Sequence, residues 1–261
     1  MSAGRMLCRT ALISLLAAAM SLSWPVYART LAEIKFKGAI SLCANPDALP
    51  YASEKTDPPG FQIEIARAIA AGLGVNLEQQ WILPRYRANL VNCDILMDSI
   101  DDPALYEGRL LLSRPYQHTG VALGLGPRAT VVDGFGGLGK GQKVGVMINS
   151  VAQVVLGKRG ISEAPYAFEQ DMLDDLAKGE LYGAAASPAT IAYYIRQHPE
   201  AGIRLVHAYE GEPQLAWNVS VGMRKADQAL VDAVNRVLEK LLIEGTITQI
   251  YQRYGIEHRM P

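Results

Sequence analysis

The sequence is poor in the residues that carry most enzyme chemistry. It has only 3 cysteines and 4 histidines in 261 residues. His118, His198, His207 and His258 show no metal-ligand spacing, and the acids at Asp98, Asp101 and Asp102 lack the glycine and distal glutamate of a calcium loop. No Gly-x-Ser-x-Gly elbow occurs, and no serine or cysteine has a base held near it along the chain. Gly134-x-Gly136-x-x-Gly139 matches a dinucleotide fingerprint in letters only, since it precedes a strand instead of following one. Gly139-Lys140-Gly141 lacks the Ser or Thr of a phosphate loop, so the segment reads as a flexible connector. The chain therefore reads as non-catalytic, with no metal and no cofactor expected. Basic runs, internal repeats and low-complexity tracts are also absent.

What is present begins with an apolar run, Ala11 to Leu22, flanked by Arg5 and Arg9 and followed by Val26-Tyr27-Ala28. That pattern is a secretory signal peptide over residues 1–28, and it predicts a soluble periplasmic product with no membrane insertion after cleavage. The removed segment carries two of the 25 basic residues and no acid, so 23 face 26 acids, a net charge of -3. Nucleic acid and anionic membrane surfaces are then unsuitable partners. Export leaves Cys43 and Cys93 as an even pair in an oxidising compartment. They either form a disulfide or remain two buried thiols. Parallel neighbouring strands would hold the two positions apart, and both readings stand on sequence alone.

The stretch from Ile40 to Gly74 sets the pattern. An apolar strand at Ile40 to Ala44 enters a loop broken by Pro46, Pro50, Pro58 and Pro59, and a helix resumes at Gly60. Ile63, Ala66, Ala70 and Leu73 recur at three- and four-residue steps, and Gly74 stops the helix. Strands follow at Leu77 to Ile82 and Asp94 to Met97, with a polar helix carrying Arg85, Tyr86, Arg87 and Asn89 between them. A strand at Gly120 to Gly124 leads toward a hinge, and beyond it the alternation restarts. Strands are expected at Lys143 to Ile148, Leu181 to Ala186, Ile203 to Val206 and Trp217 to Met223, with helices between and two closing helices after Asp227 and Gly245. The pattern predicts an α/β protein of two lobes, each a mainly parallel sheet flanked by helices. Lobe 1 is expected over 29–121 plus 216–261, lobe 2 over 122–215, with two hinge strands and a cleft at the carboxyl ends of the strands.

Several local sequences, in this order, resemble one family. They are Pro50-Tyr51 before Gly60-Phe61-x-Ile63-Glu64-Ile65-Ala66, Cys93-Asp94-Ile95, Ser113-x-Pro115-Tyr116, Lys143-Val144-Gly145-Val146, Leu176-Ala177-x-Gly179, and Gly245-Thr246-x-x-x-Ile250-Tyr251-x-x-Tyr254-Gly255. The chain resembles the type II periplasmic solute-binding proteins, the extracellular family 3. That likeness implies two α/β lobes that clamp a small-molecule ligand, often for an ABC permease. Amino-acid binders of the family hold the α-carboxylate with an Arg, for which Arg109 is the nearest candidate, and the α-amine with a second-lobe acid. Ser187 stands where that acid is expected, so ordinary amino-acid binding is not expected. Cys43-Ala44-Asn45-Pro46-Asp47-Ala48-Leu49-Pro50-Tyr51, Cys93-Asp94 and Arg114-Pro115-Tyr116 look like the branch associated with PQQ-dependent methanol and alcohol dehydrogenases. That branch implies an accessory to a quinoprotein dehydrogenase or its c-type cytochrome, with import of a small polar solute as the alternative.

The candidate ligand-binding residues follow from cleft position. Tyr51 on the first loop can stack on a ligand or pack locally. Asp98 and Ser99 end the third strand, where they either meet a ligand or satisfy backbone groups. Arg114 can take an anionic group bidentately or pair with Asp98 or Asp101, and Tyr116 lies beside it. Asn149 and Ser150 open a helix whose N–H groups suit an anion or simply need capping. Ser187 completes the set, and Trp217 reads as core or hinge packing.

Overall fold

A computed structural model describes residues 29–55, 57–83 and 93–261. The expected signal peptide over 1–28 and the expected polar helix carrying Arg85, Tyr86, Arg87 and Asn89 fall outside the described residues. The described chain opens with helix α1 (Leu31–Lys37), started by a Thr30–Glu33 capping box and stopped by Gly38 in the left-handed region. Strand β1 (Ala39–Ala44) is buried throughout, as a central strand with both faces covered should be. The proline-rich loop forms a small hairpin of β2 (Asp47–Ala48) and β3 (Ala52–Ser53). Helix α2 (Phe61–Gly72) buries Phe61, Ile63, Ile65, Ala66, Ile69 and Ala70. Each of its three fully buried isoleucines contributes roughly 2 kcal/mol of transfer free energy.

The first sheet is completed by β4 (Asn76–Trp81), β5 (Ile95–Ile100), the long β6 (Leu110–Gly120) and, from the far end of the chain, β12 (Ala216–Arg224). After β6 the chain crosses at Val121 into β7 (Ala122–Leu125) of a second sheet. That sheet adds β8 (Lys143–Met147), helix α3 (Val151–Lys158), β9 (Ser162–Tyr166), helix α4 (Glu169–Lys178), β10 (Gly183–Ala186), helix α5 (Pro188–Gln197) and β11 (Arg204–Val206). Strand β12 (Ala216–Arg224) then returns to the first sheet, and helices α6 (Gln228–Ile243) and α7 (Thr246–Arg253) close the chain.

The sheets have the orders β4-β1-β5-β12-β6 and β11-β7-β10-β8-β9. Both are mixed, not mainly parallel: β4-β1-β5 and β10-β8-β9 run parallel, whereas β12 is antiparallel to β5 and β6, and β7 to β10 and β11. The reason is topological. Strands that enter or leave a sheet through the crossing need no helical crossover, so they pair antiparallel with their neighbours. Two hydrophobic clusters result, one around α2, α6, α7 and β5, the other around α4, β8 and β10.

The crossings are held together. Val121 N–H donates to the Leu215 carbonyl at 2.9 Å, and a Cβ on Gly120 would run into that carbonyl and the Tyr209 ring. Only a side chain of hydrogen lets the two connecting strands approach so closely. Strand β9 carries Pro165 and sits at the sheet edge, where a missing N–H is tolerated. The third strand runs three residues past Met97, so Asp98 and Ser99 lie within β5 instead of beyond its end.

Candidate functional site

The C-terminal helix builds the floor on which the first loop sits. Phe61 at the start of α2 packs on Tyr51 and Tyr251, with ring centroids 5.0 and 4.7 Å apart. The Tyr254 hydroxyl accepts from Gly60 N–H at 2.9 Å and donates to Glu64 at 2.6 Å, which fixes the helix start against α7. Gly60 has φ 104°, and a Cβ there would overlap the Tyr51 carbonyl. The loop bearing Tyr51 is thus seated by backbone contact at Gly60 and ring contact at Phe61.

A bond between Cys43 and Cys93 pins the other end of this loop, with the Cα atoms 5.6 Å apart. Strict parallel register would separate these residues. The chain turns at Cys93-Asp94 before β5, and Asp94 N–H donates to the Ser41 carbonyl at 2.9 Å, which brings Cys93 back beside β1. Asp94 is buried and accepts from Ser41 N–H and Ser41 Oγ, both at 2.7 Å, and from Arg29 at 3.1 Å.

Between the two sheets lies a cavity of about 370 Å³. Tyr51, Phe61, Asp98, Tyr106, Tyr116 and Trp217 contribute from the first-sheet side, and Met147, Ser150, Glu169, Ala186 and Ser187 from the second. A second cavity of about 350 Å³ adjoins it, shares Tyr51, Gln62, Asp98 and Tyr106, and reaches Cys43, Asn45 and Ser99. Such volumes fall at the small end of ligand pockets. The Tyr51 hydroxyl and Ser187 Oγ are hydrogen-bonded across the cavity, so this pair links the two sides directly. Burial first, and then the Glu169 charge, push the Tyr51 phenol well above its ordinary value, so it stays protonated. Tyr116 is raised in the same direction by burial and by Asp98, and its hydroxyl donates to the Met97 carbonyl.

The sequence candidates divide. Tyr51, Asp98, Tyr116, Ser150 and Ser187 line the larger cavity, and Ser99 lines the adjoining one. Ser150 is also the N-cap of α3, with Gln153 N–H donating to its hydroxyl at 3.2 Å. Arg114 lies elsewhere: it is exposed, its N–H donates to Asn235 at 2.7 Å, and its guanidinium faces Glu239 of α6 at 3.3 Å. Even alternation would put Arg114 and Tyr116 on one face, but β6 and β12 shift register near Ser220, and the two side chains part. Asn149 is exposed in the left-handed region, with N–H donating to Gln153, and does not line the cavity. Arg109 is exposed beside Glu107 at 3.5 Å and also lies off it. Trp217, expected to be packing, forms part of the wall.

Glu169 is the residue sequence reasoning missed. It opens α4, and one carboxylate oxygen accepts from Ser187 N–H at 2.8 Å. An acid at a helix start is ordinarily read as a favourable partner of the helix dipole, and nothing local points it into a cleft. Its presence corrects the expectation that the second side of the cavity lacks a carboxylate. Among the described residues, the cavity is lined by Asp98 and Glu169 and by no Lys, Arg or His.

This architecture is that of the two-lobe solute-binding proteins. Residues 40–257 match the family of bacterial extracellular solute-binding proteins, family 3, and the chain belongs to that family. It is 27% identical over 238 residues to "Membrane-bound lytic murein transglycosylase F" of Desulfosudis oleivorans, covering 87% of this chain and 50% of the relative, so it spans about half of that protein's length. It is 25% identical over 223 residues to "Probable histidine-binding protein" of Neisseria gonorrhoeae, covering 82% and 81% of the two chains. Among solved structures it superposes on an ancestral cationic amino acid solute binding protein, AncCDT-1, with TM-score 0.73 and 20% identity over 86% of this chain and 99% of the other. MxaJ from Methlophaga aminisulfidivorans gives TM-score 0.68 and 18% identity over 84% and 99%. These structural likenesses carry the fold. No helix among the described residues is long and apolar enough to cross a membrane.

Proposed function

We propose that the chain is a periplasmic, non-catalytic solute-binding protein whose lobes, 29–121 plus 216–261 and 122–215, close over a small polar molecule. The observation that carries this is the Tyr51–Ser187 hydrogen bond across a cavity that both sheets line. Tyr51, Asp98, Tyr116, Ser150 and Ser187 are its contact residues, with Ser99 toward the adjoining cavity, and Glu169 joins them. What lines the cavity is suited to holding a ligand: aromatic faces, hydroxyls and two carboxylates. The chain's place is beside a PQQ-dependent alcohol dehydrogenase as an accessory. The two-cysteine, Leu-Pro-aromatic and Arg-Pro-Tyr pattern supports this.

A second reading, delivery of a small solute to an ABC permease, is favoured by the family itself and by the near full-length match to the gonococcal protein. Affinity capture of the tagged protein from its native periplasm separates the two. Co-purification of a quinoprotein dehydrogenase or c-type cytochrome supports the first. Its absence, together with a solute-dependent interaction with permease in membranes, overturns the first in favour of the second.

A further inference from the structure

Helix α5 has two apolar stripes, and they face different sheets. Ile191, Tyr194 and Ile195 pack into the cluster of the second sheet, where the Tyr194 hydroxyl donates to Asp174 of α4 at 2.9 Å. Ala189, Ala192 and Tyr193, at the three- and four-residue steps of one helix face, pack instead into the cluster of the first sheet. Ala189 and Ala192 are only 3% and 8% exposed, so this second stripe is a covered face and not a water-facing one. One turn further on, Arg196 lies along Gly255, where a Cβ would meet its side chain at 3.1 Å, and its guanidinium donates to the Gln252 carbonyl of α7 at 3.3 Å. The Tyr193 and Tyr254 rings stand 6.3 Å apart. At the helix start Ser187 meets the Tyr51 hydroxyl, and Thr190 hydrogen-bonds to the same phenol. A helix anchored to the second sheet is thus packed from Ser187 to Arg196 against the first.

We propose that α5 is a clasp that holds the two lobes shut by its own contacts, so that the cleft is closed at rest and a solute enters only by opening it. This goes beyond the solute-clamp reading, because it concerns the resting position of the lobes whichever molecule the cavity takes. Opening about the crossings at Val121 and Leu215 would turn the alanine stripe and the Tyr254 ring to water and break the bonds from Tyr51 to Ser187 and Thr190. Apolar area returned to water and hydrogen bonds broken both oppose that motion. A solute that binds a cleft already shut uses none of its affinity to close it, but its entry waits on the rare open form.

The test is the interlobe distance in the mature protein after unfolding in guanidinium and refolding with the disulfide intact, which removes solute carried through purification. Spin labels attached beforehand to Ala104→Cys and Val154→Cys, both exposed and on opposite sides of the cleft, read that distance by double electron–electron resonance. The expected result is one narrow, short-distance population of about nine-tenths or more of the molecules. In Ala192→Gln, whose longer side chain must fit where alanine is already covered, most of the signal should move to longer distance. Ala192→Ser, close to alanine in size, should keep the parent's distribution. A broad or mostly long distribution in the parent overturns the inference and leaves the clamp reading standing, since lobes that rest apart can still close on a solute. Ala192→Gln with the parent's distances also overturns it. If that variant does not fold, Tyr193→Ala and Arg196→Ala, which only shorten side chains on the same face, take its place, and unchanged distances in both overturn the inference.

Discussion

Removal of the Cys43–Cys93 bond by the paired substitution Cys43→Ala, Cys93→Ala should destabilise the protein strongly. The bond spans a sequence separation of 50 residues, and a loop of that size removes about 4 kcal/mol of denatured-state entropy. For a chain of this length each kcal/mol moves the melting point by roughly 2–4 °C, so the expected fall is roughly 8–16 °C. The bond also anchors the loop that carries Tyr51, and Cys43 borders the second cavity, so ligand binding should weaken along with stability. The assay is calorimetric melting at several scan rates of the parent, the parent with reductant, and the variant. The reduced parent and the variant should melt together, well below the oxidised parent. A melting point that moves by less than about 1 kcal/mol equivalent on reduction or substitution would refute the reasoning, because the pair would then act as two buried thiols.

Three further outcomes follow from single sites. Asp94→Ala leaves the buried Ser41 N–H and hydroxyl without their acceptor, and a loss of roughly 3 kcal/mol is expected in urea unfolding; a loss under about 1 kcal/mol would mean water replaces the carboxylate. Gly60→Ala forces a side chain into the left-handed region and onto the Tyr51 carbonyl, so soluble yield and melting point should fall with a cost of about 2 kcal/mol or more. His258 donates from Nε2 to the Tyr116 carbonyl at 2.8 Å, accepts at Nδ1 from Thr248, and stacks on Tyr251, and burial holds its pKa below the ordinary imidazole value of 6.5. In that window the unfolded chain binds the proton and the native one does not, so stability is complete above 6.5 and declines as pH falls toward the native value. His258→Gln should therefore flatten the acid side of the stability profile, and an equally steep profile in the variant would assign the slope to other groups.

Much of the fold was legible because it is local. The apolar spacing of α2, the Asp227 cap, and the apolar strands β1, β8 and β10 are readable from a dozen neighbouring residues each. Strand β9 was not, since Glu163 and Pro165 make Ser162–Tyr166 look like a loop until the sheet edge accommodates it. The direction of the strands at the crossing was not legible either, because it depends on where β12 returns after some ninety intervening residues, a matter of topology and not of periodicity.

The sequence by itself determined the α/β alternation, the glycine and proline punctuation, the family likeness, and the loop that offers Tyr51, because steric and hydrophobic preferences act between near neighbours. Tertiary structure alone decided which side chains meet. Tyr51 finds Ser187 at a separation of 136 residues and Glu169 finds Ser187 at 18, whereas Arg114 is carried away from Tyr116 by a shift in strand register. A cavity is a property of surfaces brought together, and its charge is set by whichever acids the packing of two sheets leaves facing one another.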